Sequence, residues 1–199
     1  MHLNCHSHFS LNYGVLSPRA LVEAAVEAGI KALALTDINN VSGAFEFVRA
    51  CDRHDIKPII GIEFRDADQR LLYIGLAQNE EGFATLNRLL SDASLPGKSL
   101  PEFPPSMKNV YIIYPDAVKP IEHFRDYEYV GIRPENINAL FSSPLRKHPE
   151  KLVAWCPVTF LDEEGYEVHL VLRAIGKNEV ITKLANEDQA HHNERLLSV

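Results

Sequence analysis

Residues 31–64 read KALALTDINNVSGAFEFVRACDRHDIKPIIGIEF. The opening KALAL is short and apolar on both faces and ends at Thr36-Asp37. That pattern predicts a buried parallel strand, because a strand with one wet face alternates instead. Residues 42–54 then follow helical spacing, predicting a helix that buries Phe45, Val48 and Cys51. KPIIGIEF at 57–64 is a second apolar run. Strand, helix and strand at this length make one βαβ unit, and the alternation recurs along the chain.

Toward the N-terminus, Ser17-Pro18 marks a helix start, with Ser as cap and Pro in the first turn. Leu21, Val22, Ala25 and Val26 repeat behind it and Gly29 supplies the stop. MHLNCHSHF at 1–9 reads as a first strand. Toward the C-terminus, LLYIGL at 71–76 is a strand, and 80–90 a helix with Phe83, Leu86, Leu89 and Leu90 on its apolar side. A Pro-rich loop spans 95–105. Strands are predicted at 110–114, 128–132 and 152–156, and helices at 134–141 and 162–175. Beyond Lys183 the sequence turns polar (NEDQAHHNER), which reads as a tail or linker. Seven strands alternating with helices point to an α/β fold, either a parallel barrel or an open doubly wound sheet.

The chain has 199 residues, 46% hydrophobic and 24% charged, enough for one domain with a proper core. A net charge of −7 argues against a broad surface for gripping nucleic acid. Three widely spaced cysteines, Cys5, Cys51 and Cys156, fit reduced thiols rather than a disulfide framework. No stretch has the length of a membrane span, and the expectation is a cytoplasmic protein.

In α/β folds the chemistry gathers where parallel strands end. His6 and His8 lie at the end of the first strand, Asp37 after the second, Glu63 on the third and Arg133 after the sixth. In an extended segment residues i and i+2 face one side, so His6 and His8 would both reach one ion. Glu63 adds a carboxylate. Two imidazoles and one carboxylate is the ligand count of many catalytic zinc sites. Asp37, Asn39 and Arg133 are the remaining cleft candidates. Asp37 suits a turn acceptor, Asn39 a turn former, and Arg133 with Glu135 and Asn136 an anion contact. Cys156 has no partner histidine and does not read as a nucleophile. His169 reads as a packing residue.

HSHFSLNYG at 6–14, LALTDINNVSGAFEF at 33–47 and IKPIIGIEF at 56–64 resemble the PHP (polymerase and histidinol phosphatase) family. More narrowly, with LAQNEEGFATLNRLLS at 76–91 and PVTFLDEEGYEVHLVLRAI at 157–175, the chain resembles the PHP domain at the front of bacterial DNA polymerase III alpha subunits. The YG after SLN and the TDINN look most like the Bacteroidetes version. The resemblance implies a distorted parallel (β/α) barrel of about seven strands. It implies one domain over 1–183, with 184–199 leading toward a polymerase region.

The resemblance also implies a metal site with gaps. His6, His8 and Glu63 stand at family ligand positions. Tyr13 stands in place of an aspartate, and Ile38 and Leu72 each in place of a histidine. Pro157 and Thr159 stand where the family has an Asp-x-His pair. The cofactor implied is at most one divalent ion, zinc, manganese or iron, while magnesium would belong to an absent palm region. The partners implied are the rest of the alpha subunit and a proofreading exonuclease or other replisome subunit. DNA would be met only through the full-length protein, and no membrane is involved. On this reading the domain braces or docks within a DNA-directed DNA polymerase. The alternatives are a metal-dependent phosphoesterase or 3′-5′ exonuclease built on His6, His8 and Glu63, and a regulatory binder of phosphorylated metabolites.

Overall fold

The structure, a computed structural model, describes residues 1–196. Five helices and six strands follow in the order α1 (Pro18–Glu27), β1 (Ala32–Leu35), α2 (Ala44–Arg53), β2 (Lys57–Arg65), β3 (Leu71–Ala77), α3 (Glu80–Ala93), β4 (Val110–Tyr114), β5 (Glu128–Ile132), α4 (Ile137–Leu140), β6 (Leu152–Ala154) and α5 (Glu163–Lys177). The capping chemistry works as its residues suggest. Ser17 accepts a hydrogen bond from the Ala20 amide at 3.0 Å, and Asp162 accepts one from Gly165 at 2.8 Å.

The strands form one sheet in sequence order, β1 to β6. The sheet is mixed, which corrects the expectation of a parallel barrel. β3 runs antiparallel to both β2 and β4, while the β1/β2, β4/β5 and β5/β6 pairs are parallel. The cause is the link between β2 and β3, residues 66–70, closed by Asp66 N–H to Arg70 O at 3.0 Å and Gln69 N–H to Asp66 O at 3.1 Å. A parallel crossover needs about a dozen residues or more, so this link permits only a hairpin.

Residues 1–9 are not a seventh laddered strand. They touch their neighbours through isolated parallel bridges, His2 with Leu33 and Cys5 with Val158. Main-chain bonds from Ala34 to His2 (3.0 Å), Thr36 to Cys5 (2.9 Å), Val158 to Asn4 (2.9 Å) and His6 to Val158 (2.8 Å) place this segment between β1 and the stretch after β6. This segment therefore links the first strand of the curled sheet to the chain that leaves the last one.

Apolar residues sort into layers. Leu21, Val22, Leu33, Phe47 and Cys51 pack α1 and α2 against β1. Ile62, Phe64, Leu72, Leu86 and Ile112 pack α3 against the sheet. Ala34, Ile74, Leu76, Ile113 and Trp155 form a separate cluster. In α2 the buried residues are Phe47, Ala50 and Cys51, whereas Phe45 is 73% exposed. The apolar face thus lies one step round from the predicted one. The C-terminal segment is no free tail: Ala190 and Glu194 are buried, and the Thr159 amide donates to Glu194 O at 2.9 Å.

Candidate functional site

Asp37, just after β1, is a structural pin. It is buried, and its Oδ1 accepts from the Ser7 amide at 2.6 Å and the Ser10 hydroxyl at 2.7 Å, its Oδ2 from the Ser7 hydroxyl at 2.7 Å. Those bonds force the chain to turn at Ser7, with Ser10 N–H reaching Ser7 O at 2.8 Å. The turn separates the two histidines. His6 is 1% exposed and points inward, while His8 is exposed and rests on the Phe9 ring, centroids 4.5 Å apart. The i, i+2 rule fails here because the segment stops being extended between them. A Cβ on Gly14 would overlap the Ser7 carbonyl, so glycine lets the loop fold back and bring Tyr13 over the site.

His6 and Glu63 do meet, Nε2 to Oε2 at 2.9 Å. Asn4 Nδ2 donates to the same carboxylate oxygen at 2.8 Å, and Arg65 Nε donates to Oε1 at 2.6 Å. Glu63 and Arg65 share a face because they are two apart on β2, and the register shift after Phe64 leaves Arg65 at the strand's last rung. Asn39, at φ 47, fixes that rung: its Oδ1 accepts from the Arg65 amide at 3.0 Å and its Nδ2 donates to Arg65 O at 2.8 Å. On the other side His6 Nδ1 is 3.0 Å from Thr159 Oγ1, which donates to Glu194 Oε2 at 2.8 Å. The Glu194 Oε1 accepts from Arg133 Nη2 at 2.9 Å, and Arg133 lies over the Trp155 ring at 4.4 Å.

Both ring nitrogens of His6 are thereby engaged, Nδ1 with Thr159 and Nε2 with Glu63. His6 lies between two carboxylates, one direct and one through a threonine. Burial alone would push the Glu63 carboxyl up. The Arg65 and His6 charges and their hydrogen bonds outweigh it and hold the group well below the usual carboxylate range. Arg65 is opposed by burial too, yet Glu63 and Tyr13 hold its guanidinium above its ordinary value.

Tyr13 caps the cluster. Its ring receives Arg65 at 4.5 Å and Arg173 at 5.2 Å, and burial followed by Glu194 pushes its phenol up. Two residues of α5 then tie the N-terminal turn to the C-terminal segment. His169 Nδ1 bonds Tyr13 O at 2.7 Å, and its Nε2 accepts from the Ala190 amide at 2.9 Å. Arg173 donates to Asp188 O at 2.5 Å and Asn12 O at 3.2 Å. Burial lowers the His169 pKa to about 4, which fits a ring that donates at one nitrogen and accepts at the other. Above this clamp lies a cleft of about 770 Å³, lined by Tyr13, Arg65, Arg133, Arg173, Lys177 and Glu194 among others.

The donor set does not fit a divalent ion as arranged. A ligating imidazole must offer a lone pair, and both His6 nitrogens are already engaged, with Thr159 and with Glu63. Both Glu63 oxygens are occupied, and a guanidinium already supplies the positive charge beside them. Among the described residues no three His, Cys, Asp or Glu side chains form a group able to hold a metal. Three of the positions where the resemblance implies a ligand are committed to other contacts. Thr159 bridges His6 to Glu194, Leu72 packs with Phe64 and Leu86, and Ile38 lies against the Tyr13 and Phe160 cluster. Cys156 is half-buried, and burial with Glu135 raises its thiol pKa, away from nucleophilic use.

Of the six predicted residues, His6 and Glu63 meet, Arg133 lines the cleft, Asp37 and Asn39 hold the turns, and His8 stands apart. Sequence reasoning missed Arg65, Glu194 and Arg173, while His169, read as a packing residue, is buried and bonds Tyr13 and Ala190. For Arg65 the signal existed: it stands two after Glu63 on a strand, the rule already used for His6 and His8. Glu194 gave none, lying in a polar stretch without periodicity.

An α/β fold with a curled mixed sheet, its polar cluster at one end, defines the class of protein that comparison then specifies. The PHP domain family model matches residues 2–126, well over half the chain, and the chain belongs to that family. It is 39% identical over 110 residues to DNA polymerase III subunit alpha of Treponema pallidum, 49% of this chain and 9% of that one. The Mycoplasma genitalium subunit is 39% identical over 93 residues, 45% of this chain and 10% of the relative. An error-prone DNA polymerase of Corynebacterium diphtheriae is 35% identical over 104 residues, 52% and 10% respectively. The match thus spans about a tenth of each curated relative. A solved amidohydrolase from Chromobacterium violaceum is 26% identical and covers 46% of this chain and 32% of its own, with a TM-score of 0.38.

Proposed function

We propose that this chain is a non-hydrolytic PHP module that braces a longer DNA polymerase, cytoplasmic and DNA-directed, whose nucleotidyl transfer resides elsewhere. The observation that carries the reading is the cluster of Arg65, Glu63, His6, Thr159 and Glu194. Its charges alternate and its polar atoms are mutually bonded, so nothing in it is spare for binding an ion or activating water. Cross-links among the N-terminal segment, β2, the stretch after β6 and the C-terminal segment suit bracing. The similarity to polymerase alpha subunits, whose matched region is a small part of a long chain, supports placement within such a polymerase. On this reading the curled sheet with its joined ends is a distorted barrel of the PHP type, and the module offers docking to the rest of the subunit or a proofreading exonuclease.

The hydrolytic reading, one ion on His6, His8 and Glu63 with Arg133 at a phosphate, would need Arg65 to leave Glu63, His6 to give up a hydrogen bond and His8 to turn inward. The test is metal content by mass spectrometry on tag-free protein after exposure to excess zinc and manganese, for wild type and His6→Ala/His8→Ala. Well under one ion per chain in both is the expected result. One ion per wild-type chain, lost in the variant, would overturn it.

A further inference from the structure

Helix α5 leaves an apolar stripe in water. The residues it buries are His169, Arg173 and Ala174, two of them polar and already engaged by the clamp on Tyr13, Asn12, Asp188 and Ala190. Leu170 and Leu172 are half-buried, whereas Val168 is 46% exposed, Val171 45% and Ile175 64%. Spaced i, i+3 and i+7, they lie along one stripe about 10 Å long. Val180 (56% exposed) and Ile181 (44%) follow the Asn178 cap, and a groove of about 800 Å³ runs beside them. An ordinary surface helix hides its valines and isoleucines and wets its charged residues. This one keeps its polar face for the clamp and leaves the stripe uncovered among the described residues.

We propose that this stripe docks onto an apolar face of the longer polypeptide that carries the domain; the inference rests on the module reading above. The size of the patch chooses this occupant over a second copy. Five exposed apolar side chains fall far short of the about 20 residues a side that hold separate chains together. A tethered partner needs much less, because its effective concentration is fixed by the linkage. The curated relatives carry the matched region within chains about ten times as long.

The test compares the intact natural gene product with the isolated 199-residue chain, each as wild type and as Val171→Asp/Ile175→Asp. Backbone hydrogen exchange in α5 is the readout. The expected result is exchange at least ten-fold slower in the intact product, with the difference abolished by the double substitution. In the isolated chain the substitutions leave the unfolding temperature unchanged; should they impair folding, Val168→Ser/Val171→Ser repeats the comparison more mildly. Equal exchange in a long, metal-free product overturns the docking face alone. A gene product ending at Val199 overturns both this inference and the module reading. An isolated chain that dimerises in a concentration-dependent way, and is made monomeric by the Asp pair, overturns the choice of occupant.

Discussion

Replacing Arg65 with Met removes the charge beside Glu63 while keeping a stem of similar reach on the Tyr13 ring. Both partners are enclosed, with the Glu63 side chain 1% exposed and that of Arg65 12%. Breaking a buried pair from one side costs about 3–5 kcal/mol, because the remaining charge stays desolvated. Asn4 and His6 still hold Glu63 Oε2, so the lower end, about 3 kcal/mol, applies here. For a chain of this size that is a drop of about 6–12 °C in Tm. Urea unfolding followed by circular dichroism measures it directly. Pairing Arg65→Met with Glu63→Gln completes a cycle, and the double variant should be more stable than additivity predicts by about 2 kcal/mol. The pH dependence gives a second reading. The folded pKa of Glu63 lies below its unfolded value of 4.5, so its stabilisation is complete above that pH and is lost as pH falls below it. Without Arg65 the folded value rises, and the acid limb near pH 4 flattens. A loss under about 1 kcal/mol, or a strictly additive cycle, would refute the idea that the guanidinium carries the site.

Three further outcomes follow from the same geometry. His169 has its pKa lowered from 6.5 to about 4, so its contribution is whole above pH 6.5 and declines toward pH 4; His169→Gln should flatten that limb by about 2 kcal/mol, read from urea midpoints at pH 7 and 5. Glu194→Gln weakens the bonds to Arg133 and Thr159, and limited proteolysis should cut near residues 184–196 several-fold faster while the sheet stays protected. Tyr73 buries a hydroxyl with no hydrogen-bond partner among the described residues, so Tyr73→Phe should gain about 1 kcal/mol in the same unfolding assay, where a loss would reveal a partner.

Much of the framework was legible because it depends on short-range chemistry. KALAL and KPIIGIEF became β1 and β2 in parallel register, Ala32 opposite Lys57 and Leu35 opposite Ile60, as a βαβ unit requires. The orientation of β3 was also within reach. Residues 66–70 are too few for a crossover, and the error lay in extending a βαβ rhythm across a hairpin. The first strand was harder. Residues 1–6 make real main-chain bonds on both sides, but Asp37 bends the chain at Ser7, and that interaction joins residues 30 apart. No local pattern announces it.

The site was half legible for a related reason. Ligand positions can be marked present or absent along a sequence, but a charge supplied by another element cannot. The positions that looked like losses make sense once Arg65 is counted. With a fixed cation beside Glu63, an aspartate at position 13 would add a buried carboxylate, whereas the Tyr13 ring offers its face to Arg65 and Arg173 with no charge to desolvate. Position 159 stands between His6 Nδ1 and Glu194, and a threonine hydroxyl is small enough to bond both, at 3.0 and 2.8 Å. Tyr13 and Thr159 thus each suit a centre whose positive charge is a side chain. Placing there a ligand that the resemblance implies, Tyr13→Asp or Thr159→His, should therefore destabilise the chain rather than recruit an ion, and unfolding midpoints measured with and without zinc would decide it.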